Sequence, residues 1–325
     1  YNSGSVTRYF VVFYASLPIF LALALVSIFP RWPTGALVAG GFVALFNVTG
    51  SVAIADAVHS LSWKMYSEGR AQEASLIRGL RERGIRAVFA VEYWEFFRSN
   101  FASREDPVFA WPMSHGFGNK FPPYTAFAVE QGDVPLVWHG GVDNFRASLK
   151  AIGAQFAEEA IGPYTLFSKF RPVVSSLEEI APEGWNLQVP AGPGSERLMV
   201  DGDASTHWGS GRSQEAGWAI RVDLGRVEYI AQVVLDPGPV PTDVPAEFEI
   251  RTSRDGREWE TAVPAHPFTV SLIWKGSKIV FDDRNVVRGI FRPRPSRFVE
   301  IRLTKDKPFH WRVSELSVYR DVASE

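Results

Sequence analysis

The segment DGDASTHW, residues 201–208, sets two carboxylates, Asp201 and Asp203, on either side of a glycine, with the Thr206 hydroxyl shortly after. Oxygen ligands this close together on one loop suit a hard cation such as calcium, which takes about six to eight oxygens at roughly 2.3–2.6 Å. The same residues also make an ordinary turn in which Asp201 and Thr206 hydrogen-bond the main chain. Other chemistry is thinner. His59, His115, His139, His207, His266 and His310 form no HExxH motif and no paired spacing, so no zinc site is expected. Cysteine is absent, which removes disulfides, thiolate metal sites and a thiol nucleophile. No serine sits in a GxSxG context. GPG at 192–194 and GSG at 209–211 lack the Gly-Lys-Ser/Thr ending of a phosphate loop and read as turns.

The acidic loop lies in the part of the chain whose pattern is strand-like. Trp218, Ile220, Val222 and Leu224 alternate with Arg221 and Asp223. Phe248 and Ile250 alternate with Glu247, Glu249 and Arg251, and Val299, Ile301 and Leu303 with Glu300 and Arg302. Such alternation belongs to half-buried antiparallel sheets and predicts a β-sandwich over residues 183–325. Upstream, helices and strands alternate. Ala74, Ile77 and Leu80 recur at helical spacing within a helix expected over 56–83, ending at Gly84. The run 85–91 is a buried strand and 92–101 an aromatic helix. Strands follow near 107–111 and 134–139. Val142, Phe145, Leu149 and Ile152 form one helical stripe before strands at 155–160 and 164–170. This predicts a small α/β domain over 58–172, with 171–182 as linker. Glu92, Tyr93, Trp94, Arg98, Lys120 and Tyr124 are candidates to line an acceptor or lipid-phosphate cleft there. The alternative is that the aromatics fill a small core and the charges face water.

At the start of the chain, residues 9–30 and 32–55 carry no charge, and Arg31 alone separates them. At about 1.5 Å per residue each is long enough to cross a hydrocarbon core of roughly 30 Å as a helix. The second is rich in the Gly and Ala that let helices pack closely. Residues 1–57 are therefore expected to be a pair of transmembrane helices with Arg31 in the cytoplasmic turn. Starting at Tyr1 rather than Met, the chain is expected to be the tail of a longer protein. The expected fold class is thus multidomain: two transmembrane helices, a small α/β domain, and a C-terminal all-β jelly-roll-like sandwich. A net charge of −2 gives no basic footprint for nucleic acid.

Four segments join the acidic loop in a fixed order: WAIRVDLG (218–225), FEIRTSRDGREW (248–259), RFVEIRL (297–303) and WRVSELSVY (311–319). Together they resemble the discoidin domain, the type C module of coagulation factors, which also forms a large family of bacterial carbohydrate-binding modules. The resemblance implies a structural calcium ion held by Asp201, Asp203, Thr206, a main-chain oxygen near Leu198, and Glu315. A Glu315 turned inward beside Leu316 and Val318 would otherwise be a costly buried charge. It also implies glycan binding by loops, with His207, Arg212, Trp274 and His310 as candidates, while Trp208 and Trp311 belong to the core.

The upstream part has its own resemblance. TRYF before a span containing Pro18, then LIRGLRERGIRAVFAVEYWEFFRSNF, FPPYTAFAV, FRASLKAIGAQF and IGPYTLF are similar to the end of bacterial GT-C glycosyltransferases, a group that includes the protein mannosyltransferase-like family and uses polyprenyl-phosphate sugars. Similar sequences commonly have Asp before the Tyr-Trp pair, where this chain has Glu92. The resemblance implies a cell (inner) membrane location with the soluble domains extracytoplasmic. It implies membrane lipid and a glycan or glycoconjugate as partners, and a polyprenyl-phosphate sugar through the upstream part. Catalytic residues in that group lie in an early loop, so none is expected in this chain. The alternative is a non-catalytic membrane-anchored carbohydrate-binding protein, an adhesin or surface lectin.

Overall fold

The computed structural model describes residues 68–90, 93–112, 121–174, 176–240, 242–268, 270–276, 278–282 and 284–322, together with 27, 34, 35, 38, 40 and 41; side chains at 93–97 are not described. The two expected spans fall almost wholly outside these residues. Among the described residues no helix is long and apolar enough to cross a membrane. The chain divides into two compact units, residues 1–71 and 72–325, and every described strand belongs to the second.

The first half of that second unit is a five-stranded sheet in the order β2-β1-β3-β5-β4, formed by β1 (Ala87–Ala90), β2 (Val108–Ala110), β3 (Leu136–His139), β4 (Ala154–Ile161) and β5 (Tyr164–Pro172). The β1 strand pairs in parallel with β2 and β3, and the β3-β5-β4 side is antiparallel. Helices α1 (residues 68–82), α2 (Tyr93–Ser103), α3 (Pro122–Glu130) and α4 (Val142–Ala151) accompany it. The α1 face against the sheet is Glu73, Leu76, Ile77 and Leu80, and Ala74 is exposed. Glu73 tolerates burial because its carboxylate accepts from Arg98 Nε at 3.0 Å and Ser99 Oγ at 2.9 Å. The α4 stripe behaves as its spacing predicts, with Phe145 and Leu149 fully buried.

The second half is the all-β domain. Its main sheet has the order β11-β10-β14-β9-β16-β6, with β7 also on β9. These strands are β6 (Leu177–Glu179), β7 (Asn186–Gln188), β9 (Ala219–Asp236), β10 (Glu247–Ser253), β11 (Glu260–Pro267), β14 (Val287–Leu303) and β16 (Glu315–Asp321). A ribbon of β8 (Trp208–Gln214) with β15 (Lys307–Val313) and a hairpin of β12 (Ser271–Lys275) with β13 (Lys278–Asp282) complete it. Ile220, Val222, Phe248, Ile250, Val299, Ile301 and Leu303 point into one core, where Trp208 and Trp311 meet edge to face at 5.7 Å. Glu300 lies on the opposite face, yet it is only 1% exposed. Arg221 and Arg251 on the neighbouring strands reach its two oxygens at 2.6 and 3.0 Å.

The two halves share a core. Leu136, Phe145, Leu149, Phe167 and Phe170 of the α/β part pack with Ala231, Leu272, Ile279, Phe281 and Ile290 of the β part. Gly153 sits at the contact with φ +63°, and a Cβ there would come within 2.6 Å of Val173 Cγ2 and 3.0 Å of Ile290 Cγ2. Residues 171–182, expected as a linker, contain β6, which pairs with β16 and edges the main sheet.

Candidate functional site

The acidic loop follows a short 3-10 turn, Glu196–Met199, whose Met199 is fully buried and anchors it. Asp201 Oδ1 accepts the Asp203 N–H at 2.9 Å, and its Oδ2 accepts the Thr206 hydroxyl at 2.7 Å. That hydroxyl oxygen also lies 3.0 Å from the Asp203 carbonyl and 3.4 Å from the Leu198 carbonyl. The Asp203 carboxylate takes the Ser205 hydroxyl at 2.6 Å and its N–H at 2.9 Å, which hold its pKa below the usual range. So Leu198, Asp201, Asp203 and Thr206 do gather around one point.

Glu315 opens β16 beside this loop. Its Oε1 is buried without a hydrogen-bond partner. Burial pushes its carboxyl up, and the charges of Asp201, Glu179, Asp203 and Asp236 push further in the same direction. A buried oxygen left unpaired amid carboxylates is costly unless a cation joins them. Among the described residues no group of three or more His, Asp or Glu side chains is placed to hold a metal, so a cation here would also need hydroxyl and main-chain oxygens. The Thr206 hydroxyl and the Leu198 and Asp203 carbonyls are oxygens of that kind, and the donor set fits a hard cation.

Two of the four glycan candidates, Arg212 and His310, lie on the β8–β15 ribbon, and a third, His207, immediately precedes it. His207 precedes β8 and is exposed; partial burial, then Arg312, lowers its pKa, and Asp243 opposes them. Arg212 stacks over Trp218 at 4.7 Å and stands 3.8 Å from Glu215. His310 is exposed opposite Ser213. Arg212 lies five positions beyond His207, about 16 Å along an extended strand, so these side chains line a ribbon rather than one pocket. Trp274 is elsewhere. It stands on β12, and its indole N–H donates to the Ile152 carbonyl at 2.8 Å, pinning the hairpin to the α/β part.

Of the six residues expected to line an acceptor cleft, only Arg98 and Tyr124 have described side chains. Glu92 and Lys120 lie outside the described residues, and the Tyr93 and Trp94 side chains are not described. Arg98 is engaged with Glu73, and Tyr124 donates to Glu105 Oε1 at 2.5 Å. Burial, then that carboxylate, pushes the Tyr124 hydroxyl up to about 12.

What sequence reasoning missed is a 760 Å³ cleft over the outer face of the main sheet, which Gln232, Asp236, Arg288, Glu315 and Tyr319 share with Trp274. The only signal in the sequence is the outward half of the β9 and β16 alternation, which alone does not say that anything covers it.

Residues 186–316 match the F5/8 type C domain family, and the β half is a domain of that discoidin type. No curated protein sequence matches the chain. Similar solved structures include CpGH89CBM32-5 from Clostridium perfringens in complex with GalNAc-β-1,3-galactose, at 15% identity and TM-score 0.35, covering 43% of this chain and 99% of that one. Another is the family 32 carbohydrate-binding module of C. perfringens NanJ with galactose, at 16% identity and TM-score 0.35, covering 44% and 99%. A third is the C-terminal domain of a chitobiase from Bacteroides fragilis, at 18% identity and TM-score 0.33, covering 43% and 96%.

Proposed function

We propose that the F5/8 type C domain of this chain is a glycan-binding module on the extracytoplasmic side of the cell (inner) membrane. In this reading residues 9–30 and 32–55 anchor it in lipid, and the chain is part of a GT-C glycosyltransferase whose catalytic loop and polyprenyl-phosphate sugar site lie upstream. The observation that carries the module's role is the family match over 186–316. The anchor rests on the two uncharged stretches, and the enzyme assignment on the resemblance of the segments around 75–101 and 121–170.

Leu198, Asp201, Asp203, Thr206 and Glu315 are the residues that would hold calcium. Its supporting observation is the unpartnered buried oxygen of Glu315. A bound cation supplies positive charge that ties the acidic loop to the start of β16. The chain's own residues pre-shape the loop, since Asp201 and Asp203 already organise the turn through Asp203, Ser205 and Thr206.

The test is an array of neutral and charged glycans probed with the detergent-solubilised full chain in calcium. Binding to one class of terminal sugars is the expected result. A blank array together with binding to lipid vesicles would overturn the glycan reading in favour of a lipid-binding module.

A further inference from the structure

The outer face of an antiparallel sheet ordinarily meets water. Here it is walled in. Cross-strand register lays three rows on that face: Ile290, Gln232 and Tyr319; Arg288, Val234 and Ser317; and the pair Asp236 and Glu315. On one side the β12–β13 hairpin rises over the rows, carrying Ile273 and Trp274. It is held to the α/β half by the Trp274 bond to Ile152 and by Phe281 stacked parallel to Phe145 at 6.3 Å. On the other side run Pro172, Val174 and Leu177, with β6 paired along the edge of β16. The resulting 760 Å³ falls within the span of about 300–1,000 Å³ usual for small-molecule sites. Both walls come from the junction between the two halves.

The lining states what it would take. Arg288 is 9% exposed and committed to Asp282 at 2.7 Å and Ser271 Oγ at 3.0 Å. Arg284 is paired with Asp236 at 3.2 Å. Neither arginine is left as an uncompensated cation for a phosphate or sulfate. Gln232 lines the floor of the cleft between Ile290 and Tyr319, and its carboxamide brings two donors and an acceptor to that floor. Trp274 and Tyr319 add aromatic surface beside the aliphatic Val234 and Ile290. Apolar ring faces beside amide and carboxylate groups are what the two surfaces of a pyranose require: CH groups on one face, hydroxyls at the edge.

We propose that this junction cleft is a binding site for a neutral oligosaccharide, seated on Gln232, Val234 and Tyr319 against Trp274. The proposal rests on the glycan-binding reading above and moves the contact away from the His207–Arg212–His310 ribbon. It also gives the α/β half a part in recognition, because that half holds the hairpin in place and leaves the wall organised before the sugar arrives.

The experiment is calorimetric titration of the solubilised full chain with N-acetyllactosamine, chitotriose and a sulfated analogue of each. Val234→Trp fills the cleft from the solvent face of the sheet and should abolish binding. Gln232→Ala, which removes hydrogen bonds without adding bulk, should weaken it by about threefold to tenfold. His207→Ala and Arg212→Ala should bind as wild type does, and sulfation should weaken binding. Unchanged melting curves for the two cleft variants show that they fold. If wild type binds and only the ribbon variants weaken it, the cleft proposal is overturned and the glycan reading stands. If the sulfated sugars bind more tightly than the neutral ones, the neutral-ligand assignment fails. If wild type binds none of these sugars and the glycan array is blank, both readings fall.

Discussion

Replacing Glu315 by Gln separates a cation ligand from an ordinary buried acid, because the two accounts differ in how the result depends on calcium. The side chain keeps its shape and loses its charge. In a chelator, wild type holds Glu315 against the charges of Asp201, Glu179, Asp203 and Asp236, with Oε1 unpaired. Removing one charge from that group should leave the variant at least as stable as wild type. In calcium the order should reverse. A ligand at a hundred times its Kd stabilises by about 2.7 kcal/mol. For a folded unit of this size 1 kcal/mol moves the midpoint by about 2–4 °C, so wild type should gain roughly 5–11 °C and the variant little of it. The assay is differential scanning calorimetry of the full chain with chelator and with calcium raised through the millimolar range. A wild-type melting temperature that ignores calcium refutes the site, and so does a Gln variant that keeps the whole increment. A variant less stable than wild type by the same amount in both conditions would make Glu315 a structural acid.

Two further outcomes concern the core. His266 is 6% exposed against Phe248 at 4.6 Å, and burial lowers its pKa despite the opposing pull of the Pro264 carbonyl and Glu247. The unfolded chain then takes up a proton below about pH 6.5 while the folded one resists, so its contribution is complete above about pH 6.5 and falls as the pH drops. Urea titrations should show that decline, and His266→Phe should flatten it; an unchanged slope in the variant would refute the assignment. Separately, a fragment of residues 183–325 would expose Ala231, Leu272, Ile279, Phe281 and Ile290, none more than 9% exposed in the whole unit. It should bind a hydrophobic dye and self-associate, whereas a monodisperse fragment with the parent's melting temperature would show the shared core to be dispensable.

The strands were legible where a period of two had length to act. Phe248 and Ile250, or Val299 and Ile301, are buried as their alternation implies. Glu300 follows the same alternation onto the outer face, but its burial depends on Arg221 and Arg251 meeting it across two strand pairings, which no single segment encodes. The acidic loop was readable for the opposite reason. Its partners Leu198, Asp201, Asp203 and Thr206 lie within nine residues, so spacing nearly determines geometry. The main-chain oxygen near Leu198 and the carboxylate of Glu315 had to be supplied by the family pattern. β6 has three residues, too few to show a period, and its pairing with β16 spans some 140 positions.

Trp274 shows what this costs a functional reading. As a loop aromatic it invited grouping with His207, Arg212 and His310, because all four could be pictured at one rim. Its position is instead set by the Ile152 carbonyl, 122 residues away, and by a hairpin whose residues Leu272, Ile279 and Phe281 are buried against the other half of the unit. A short strand buried on its inner side by a partner so distant in sequence looks, locally, like any apolar strand. The constraint that makes Trp274 unreadable from its own neighbourhood is the one that holds it rigid over the sheet. A wall fixed by tertiary contacts loses little freedom when a ligand arrives, whereas an aromatic on a free loop must be ordered at binding and loses affinity accordingly. On that ground the junction, rather than the exposed ribbon, is the better-prepared surface for a neutral, hydroxylated ligand.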